Sequence, residues 1–521
     1  METASTIDPA LEEIQNFKGK YPKQLWYLFM SEMWERFCFY GMRGMLTFFM
    51  VDQLLMKEDV ANLQYGATQA FVYAFTFIGG LFADKILGYR KSLFWGGILM
   101  IAGSCILAAN PQHFFFLGIS FTIIGTGFFK PNISTMVGTL YKAGDNRRDA
   151  GFSLFYSGIN IGALLGGYAC VSIGKGYSWN LAFGLAAIVM TISLLTFVFT
   201  KKTLGPIGLS PLMPKPIKDL GGEHNTIYKG EDGSQTNTGN SKRSKWYEYA
   251  VYIGSLAIIP VIMTMVAKTE YTDWFMYIIG PCTLIYIFYE MSRYTAVERQ
   301  KLMAALVFII FSILFWAFFE QSGGSLSLFA ANNLDNKLLG VTLDPNGVNN
   351  AANSLFVIIF APIIGLIWLG LSKKKIEPNT VVKFGLGFIF LALAFFVFYY
   401  TRFFANANGI TSLNVFTTAY LVITFGELCL SPIGLSIMTK LSPKPLQAVM
   451  MGMWFLASAY GQYVAGILGA GMSTTSENAT QMQKLIAYTD GYKQLAIYAL
   501  IAGVVLIVIS PLVRKLMHEV H

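Results

Sequence analysis

Charge is scarce in this chain. Only 13% of its 521 residues are Asp, Glu, Lys or Arg, against about a quarter in a soluble domain. Histidine is scarcer still, with four residues at positions 113, 224, 518 and 521, all near loops or chain ends. Histidine-based acid–base or metal chemistry inside the apolar segments is thereby excluded, and proton handling there falls to carboxylates. The five cysteines (38, 105, 170, 282 and 429) all lie in apolar stretches. Odd in number and without ligand spacing, they predict neither structural disulfides nor a metal site. No nucleophile–base constellation marks a catalytic site, so an intramembrane enzyme is disfavoured. Residues 1–20 are polar and show no cleavable leader pattern.

What replaces charge is apolar length. The chain is 54% hydrophobic, with mean hydropathy +0.51. Apolar runs long enough to cross a bilayer give fourteen spans between residues 24 and 513. Lipid offers no partner to an open backbone, so these runs predict an all-α polytopic membrane protein. The 43 Phe and 27 Tyr suit helices that pack in lipid and end in aromatic belts. The net charge of +9 could suggest nucleic acid, but its distribution does not. Of 38 Lys and Arg, 28 fall at the two ends and in the even-numbered connections, seven in the opposite loops, and three inside spans. By the positive-inside rule this predicts a multi-pass protein with both termini cytoplasmic. The basic excess is a topology signal and calls for no nucleic-acid partner.

Six spans (1–200) precede a polar stretch, 201–245, rich in Gly, Lys, Pro, Ser and Asn. That composition cannot bury a core and reads as a cytoplasmic linker. Two spans follow (246–292), with Glu270 and Asp273 at their turn and no charge in mid-membrane, the pattern of helices that face lipid. Six more complete 293–521. Two six-helix halves, here 6 + 2 + 6, are the plan of the major facilitator fold, in which the halves rock around a central site. After the second span, Gly80-Leu-Phe-Ala-Asp84-Lys85-Ile-Leu-Gly88-Tyr-Arg90-Lys91 resembles the signature of that fold. Its Asp84 is suited to bond a helix end or a loop arginine.

A charge at mid-bilayer costs about 2.5–3.5 kcal/mol on insertion scales, so each one needs a partner, a cavity or a function. Here the bases are Arg36, Arg43 and Lys130 and the acids Glu32, Glu35, Glu320 and Glu427. In the first span Glu32, Glu35, Arg36, Tyr40 and Arg43 recur along one helix face, which must therefore line a cavity. Glu32 and Arg36, at i,i+4, are spaced to pair. That leaves Glu35 at the edge as a carboxylate of variable proton occupancy. A static ion cluster that only fixes helix packing is the alternative.

At these residues a resemblance emerges. Glu32-x-x-Glu35-Arg36 followed by Phe39-Tyr40-Gly41 resembles the first-helix signature of the proton-dependent oligopeptide transporter (POT) family. Gly125-Thr-Gly-Phe-Phe-Lys130-Pro131-Asn132, Phe155-Tyr156-Ser-Gly-Ile-Asn160-Ile-Gly162, Phe315-Trp316-Ala-Phe-Phe-Glu320-Gln321 and Phe425-Gly426-Glu427-Leu-Cys-Leu-Ser431-Pro432 resemble further motifs of that family. The extra pair of spans looks like its bacterial members. One departure stands out. Many relatives carry two tyrosines before the first-helix glycine, whereas here Phe39 precedes Tyr40, so a hydroxyl is missing from the expected pocket wall.

The resemblance implies a proton-coupled symporter of di- and tripeptides. The proton would be the coupling ion, with no other cofactor and no metal. Arg43, Tyr40, Tyr73, Lys130, Asn160, Trp316, Asn353, Glu427, Ser431 and Trp454 map onto peptide-contacting positions, with Tyr156 a further wall candidate. The charges suit a zwitterion, with Arg43 and Lys130 in the first half and Glu320 and Glu427 in the second. Glu32, Glu35, Arg36, Lys130, Glu320 and Glu427 are the expected proton-coupling set. Arg43–Glu320 is the expected outer gate pair and Lys130–Glu427 the inner. Gly158, Gly162 and Gly166 beside Asn160 read as helix packing. Pro131 and Pro432 read as kinks, and Gln321-Ser-Gly-Gly-Ser as a hinge. The chain is expected to act as a monomer in the bilayer on peptides and peptide-like drugs. A transporter of another small solute such as nitrate, or a receptor without transport, remains open at this point.

Overall fold

The structure is a computed structural model that describes residues 8–142, 144–211, 228–229, 235–236, 240–430, 434–443, 446–473 and 479–520. Fourteen long helices account for nearly all of it. The first six are α1 (Lys23–Asp52), α2 (Glu58–Phe82), α3 (Tyr89–Ala109), α4 (Phe115–Thr139), α5 (Arg147–Gly176) and α6 (Trp179–Thr200). Two more follow, α7 (Asn240–Ala257, continued as Ile259–Ala267) and α8 (Thr269–Met291). The last six are α9 (Ala296–Phe319), α10 (Pro345–Lys373), α11 (Thr380–Tyr400), α12 (Leu413–Leu430), α13 (Gln447–Met472) and α14 (Gln481–Met517). Among the described residues, eleven segments are long and apolar enough to cross a membrane. The other three, α1, α4 and α13, have 30, 25 and 26 residues, ample for a crossing, but carry more polar residues. Those polar residues include the charged stripe on α1 and Lys130 on α4.

Local chemistry sets several of the helix starts. Thr295 and Glu298 form a reciprocal capping box at α9, and Thr480 and Gln483 form another at α14. Asp344 caps α10 by accepting from the Gly347 amide at 2.7 Å, with Pro345 in the first turn where its missing N–H costs nothing. Between α2 and α3 the chain makes a π-helical turn over Ala83–Leu87 and reverses at Gly88, whose φ of 77° favours glycine. Of the two partners open to Asp84, it bonds the Tyr89 hydroxyl at the start of α3 and not the loop arginine. Arg90 donates to the carbonyls of Ile207 (2.6 Å) and Gly205, so the signature loop grips the chain just beyond α6 and not Asp84. Lys201–Leu204 forms a 3-10 turn and α7 begins at Asn240. The stretch expected as linker is therefore ordered at both ends.

The apolar side chains form two large cores, with a small third cluster of Ala70, Met276, Ala459 and Tyr463 between α2, α8 and α13. One draws on α1–α6 together with Ile259, Ile262 and Val266 of α7. The other draws on α9–α14 together with Ile287 and Met291 of α8. The halves meet along two seams, α2 against α13 and α5 against α10. At the first seam Gly66 and Gly466 bring backbones together, and a methyl on Gly66 would stand 2.7 Å from the Gly466 Cα. The two-helix insertion presents the exposed apolar surface expected of helices that face lipid, and it is also tied to both halves. Its outer face is apolar and exposed, with Trp274 and Ile285 at 67% and 69%. Its inner face ties to both halves, through Gln64 Nε2 donating to the Ala267 carbonyl (3.0 Å) and Tyr463 Oη donating to Asp273 (2.6 Å).

Candidate functional site

The site begins where α1 lies against α5. A methyl on Gly162 would stand 2.1 Å from the Met33 carbonyl and 2.9 Å from Arg36 Cβ, so only glycine allows this approach. The contact fixes the turn of α1 that carries Glu32, Glu35 and Arg36, which are 1%, 0% and 1% exposed. Arg36 Nε lies 2.8 Å from Glu32 Oε1 and 2.7 Å from Glu35 Oε2. The i,i+4 pair is thus present, but Glu35 does not stand apart at the edge, because both carboxylates converge on one guanidinium. Among the described residues neither Glu35 oxygen has a hydrogen-bond partner of good geometry. Two carboxylates on one cation, deep in the protein, form a set that can take up one proton and become neutral.

Two turns further along α1, Arg43 meets the second half. Its Nη2 pairs with Glu320 Oε2 and lies 3.2 Å from Ser322 Oγ, while its Nε donates to Tyr65 Oη at 2.7 Å. Glu320 sits where α9 ends and a 3-10 turn, Glu320–Gly323, leads into the short helix Ser325–Asn333. The Gln321-Ser-Gly-Gly-Ser run does break the helix, and Thr47 Oγ1 donates to the Gly323 carbonyl freed there (2.5 Å). Tyr65 and Thr47 have no signature in the sequence, because isolated hydroxyls in apolar helices carry no pattern, whereas Ser322 belongs to the hinge run.

Lys130 and Glu427 do not pair in this conformation. Glu427 accepts from Asn353 Nδ2 at 2.9 Å and from Tyr156 Oη at 3.3 Å, and Thr424 holds the Asn353 amide from the other side at 2.8 Å. Lys130 Nζ instead stands 4.6 Å from the centre of the Tyr73 ring and 6.0 Å from that of Phe39. Contacts between the halves lie both at mid-height, as at Tyr156–Glu427, and on the side away from the termini. Examples of the latter are Arg43–Glu320, Lys175–Asp344 at 2.6 Å, and Asn62 to Ser473 at 3.1 Å.

The remaining expected wall residues divide. Tyr40 is half-buried, with Arg43 Cζ 5.7 Å from its ring. Asn160 spends its amide nitrogen on its own helix, donating to the Tyr156 carbonyl at 2.9 Å. Trp316 is half-buried, with no hydrogen-bond partner for its Nε1 among the described residues, and Trp454 is buried against Gly434. Ser431 and Pro432 lie outside the described residues.

One cluster escaped the sequence reading altogether. Glu58, 7% exposed at the start of α2, accepts from Lys484 Nζ (2.6 Å), from the fully buried Tyr488 Oη (2.6 Å) and from Asn332 Nδ2 (3.3 Å), all in the other half. Lys484 was the available signal, as one of only seven bases in loops opposite the termini.

A helical protein with two large cores, a charged α1 and a bipolar seam narrows the possibilities, and comparison with known proteins decides among them. The sequence profile of the POT family matches residues 90–486. The peptide transporter YePEPT of Yersinia enterocolitica is 32% identical to this chain, over 96% of the chain and 96% of that protein. The chain belongs to the POT family. A di-/tripeptide transporter of Lactococcus lactis is 30% identical, over 96% of this chain and 97% of that one. The crystal structure of a POT family transporter in complex with a thioalcohol-conjugated peptide covers 97% of this chain, with a TM-score of 0.77 and 28% identity. The fold is therefore that of a POT transporter, closed on the side away from the termini.

Proposed function

We propose that this POT transporter imports di- and tripeptides together with protons by alternating access. It does so as a monomer in the plasma (inner) membrane with both termini cytoplasmic. On this reading the structure is the outer-closed state, and peptides and peptide-like drugs share one site. The observation that carries the proposal is the bipolar seam, in which Arg43 of the first half pairs with Glu320 of the second and Glu427 of the second half accepts from Tyr156 of the first, with Lys130 a further base on α4. A short peptide ends in a carboxylate at one side and an ammonium at the other, and such a seam offers each a charge-assisted partner. Half-buried Tyr40, Tyr73 and Trp316 would receive varied side chains loosely. The proton is the coupling ion and is taken up by the Glu32 and Glu35 carboxylates that converge on Arg36.

Competition against labelled dialanine in proteoliposomes tests the substrate. Unlabelled di- and tripeptides are expected to compete fully. N-acetylated and C-amidated dialanine should each be weaker by about thirtyfold or more, because each leaves a buried charge of the seam unpaired. Nitrate is expected not to compete. Competition by nitrate but not by peptides would overturn the assignment.

A further inference from the structure

Phe39 is where this sequence departs from the two-tyrosine pattern of its relatives, and the structure gives that departure a location. The ring is 3% exposed, so it is not part of an open pocket wall. It stands one turn beyond the carboxylates, with Arg36 Cζ 5.5 Å and Lys130 Nζ 6.0 Å from its centre. Two cations thus address one aromatic ring, at the outer limit of a cation–π contact. Beyond the ring, Lys130 rests on Tyr73, while Tyr40 packs edge-on against Phe39 at 5.3 Å. On the near side Glu35, fully buried, has Arg36 Nε at 2.7 Å and no good hydrogen bond from any described residue.

The titratable groups that face this carboxylate are few. They are Glu32, Arg36, Cys38 and Tyr40 on α1 and Lys130 on α4, with Arg43 and Glu320 two turns away. Tyr73 of α2 faces Lys130. The other neighbours present no charge, since α3 offers Ser104 to Cys38 and α5 meets Arg36 with Gly162. Glu35 and Lys130 are within electrostatic reach of each other, and the Phe39 ring is the side chain that both Arg36 and Lys130 address.

We propose that Phe39 is a positioning residue of the proton site, a hydroxyl-free partition that keeps hydrogen-bond donors away from Glu35 and holds Lys130 apart from the Glu32–Glu35–Arg36 cluster. The inference rests on reading that cluster as the proton site. A tyrosine here would bring a hydroxyl to the boundary, and an alanine would open it to water. Either supplies a donor to the carboxylate, and a donor favours the ionised form. More acid is then required to load the proton.

The test is the pH profile of dialanine uptake by full-length protein in proteoliposomes, read as midpoint and KM separately. Phe39→Tyr is expected to move the midpoint of uptake about one unit to lower pH, the equivalent of one added hydrogen bond to a charged group. Phe39→Ala should move it in the same direction, so the outcome does not hang on one variant folding well. KM at saturating acidity should change less than twofold for both. Wild-type midpoints in both variants, or a change confined to KM, would overturn the proposal. Glu35→Gln in the same assay separates the two failures. If that variant still shows pH-driven uptake, the proton reading itself falls, whereas an unshifted Phe39→Tyr beside an uncoupled Glu35→Gln removes only this inference.

Discussion

Glu35→Gln is expected to stop uphill peptide uptake while leaving exchange intact. The reasoning starts from the geometry, in which Arg36 Nε lies 2.7 Å from Glu35 and 2.8 Å from Glu32. Glutamine at 35 mimics the protonated carboxylate and leaves Arg36 with Glu32 as a balanced pair, so the buried cluster stays neutral and helix packing survives. What is lost is the ability to gain and release the proton. One proton moving through a membrane potential of 100 mV supplies about 2.3 kcal/mol, or roughly 50-fold accumulation of a co-transported peptide. In the variant the accumulation ratio should fall to about one. Counterflow of labelled against unlabelled dialanine needs no net proton movement, and it should continue at a rate within a few-fold of wild type. Loss of both activities together would mean that the cluster is structural.

The second large effect concerns the outer closure. Arg43 is 13% exposed at its side chain and Glu320 4%, and the pair links α1 to the turn that follows α9. Glu320→Ala leaves Arg43 buried without its anion, a loss of about 3–5 kcal/mol from the closed state. That shifts the balance toward the outer-open state by roughly a hundredfold or more. Spin labels on cysteines replacing Leu55 and Leu339, 84% and 89% exposed in loops on that side, should report a longer distance population. The reversed pair Arg43→Glu with Glu320→Arg is expected to regain much of the closed population, because the ion pair re-forms with opposite polarity. It should not regain dialanine affinity, since the base that meets the peptide carboxylate is gone from the first half. This double substitution therefore separates the gate from the binding site. Recovery of both would show that Arg43 acts in gating alone.

Much of the architecture was legible because lipid removes alternatives. An apolar run in a bilayer must be a helix, and its length tells whether it can cross. The stripe on α1 was legible for the same reason, since five polar positions on one face of an apolar helix have nowhere to go but a cavity. Tertiary chemistry was less legible. The i,i+4 spacing announced Glu32–Arg36 but said nothing of Glu35 turning onto the same nitrogen, which depends on side-chain rotamers that spacing does not encode. The sign of the charges suggested Lys130–Glu427. Which pair is closed depends on the conformation, and here Asn353 and Tyr156 hold Glu427 instead. Glu58 with Lys484 and Tyr488 joins positions more than 400 residues apart in sequence, and no local pattern predicts such a contact. The insertion looked idle because its charges sit only at the turn, yet backbone carbonyls at Ala267 and Met276, which leave no mark in side-chain composition, anchor it to both halves.

The most direct test of the central claim is labelled dialanine uptake by the wild-type protein in sealed proteoliposomes, with and without an inward pH gradient. The account predicts accumulation above the external concentration when the outside is acidic, abolished by a protonophore, and simple equilibration when the gradient is absent. Equal accumulation with and without the gradient, or none under either condition despite intact folding, would contradict it.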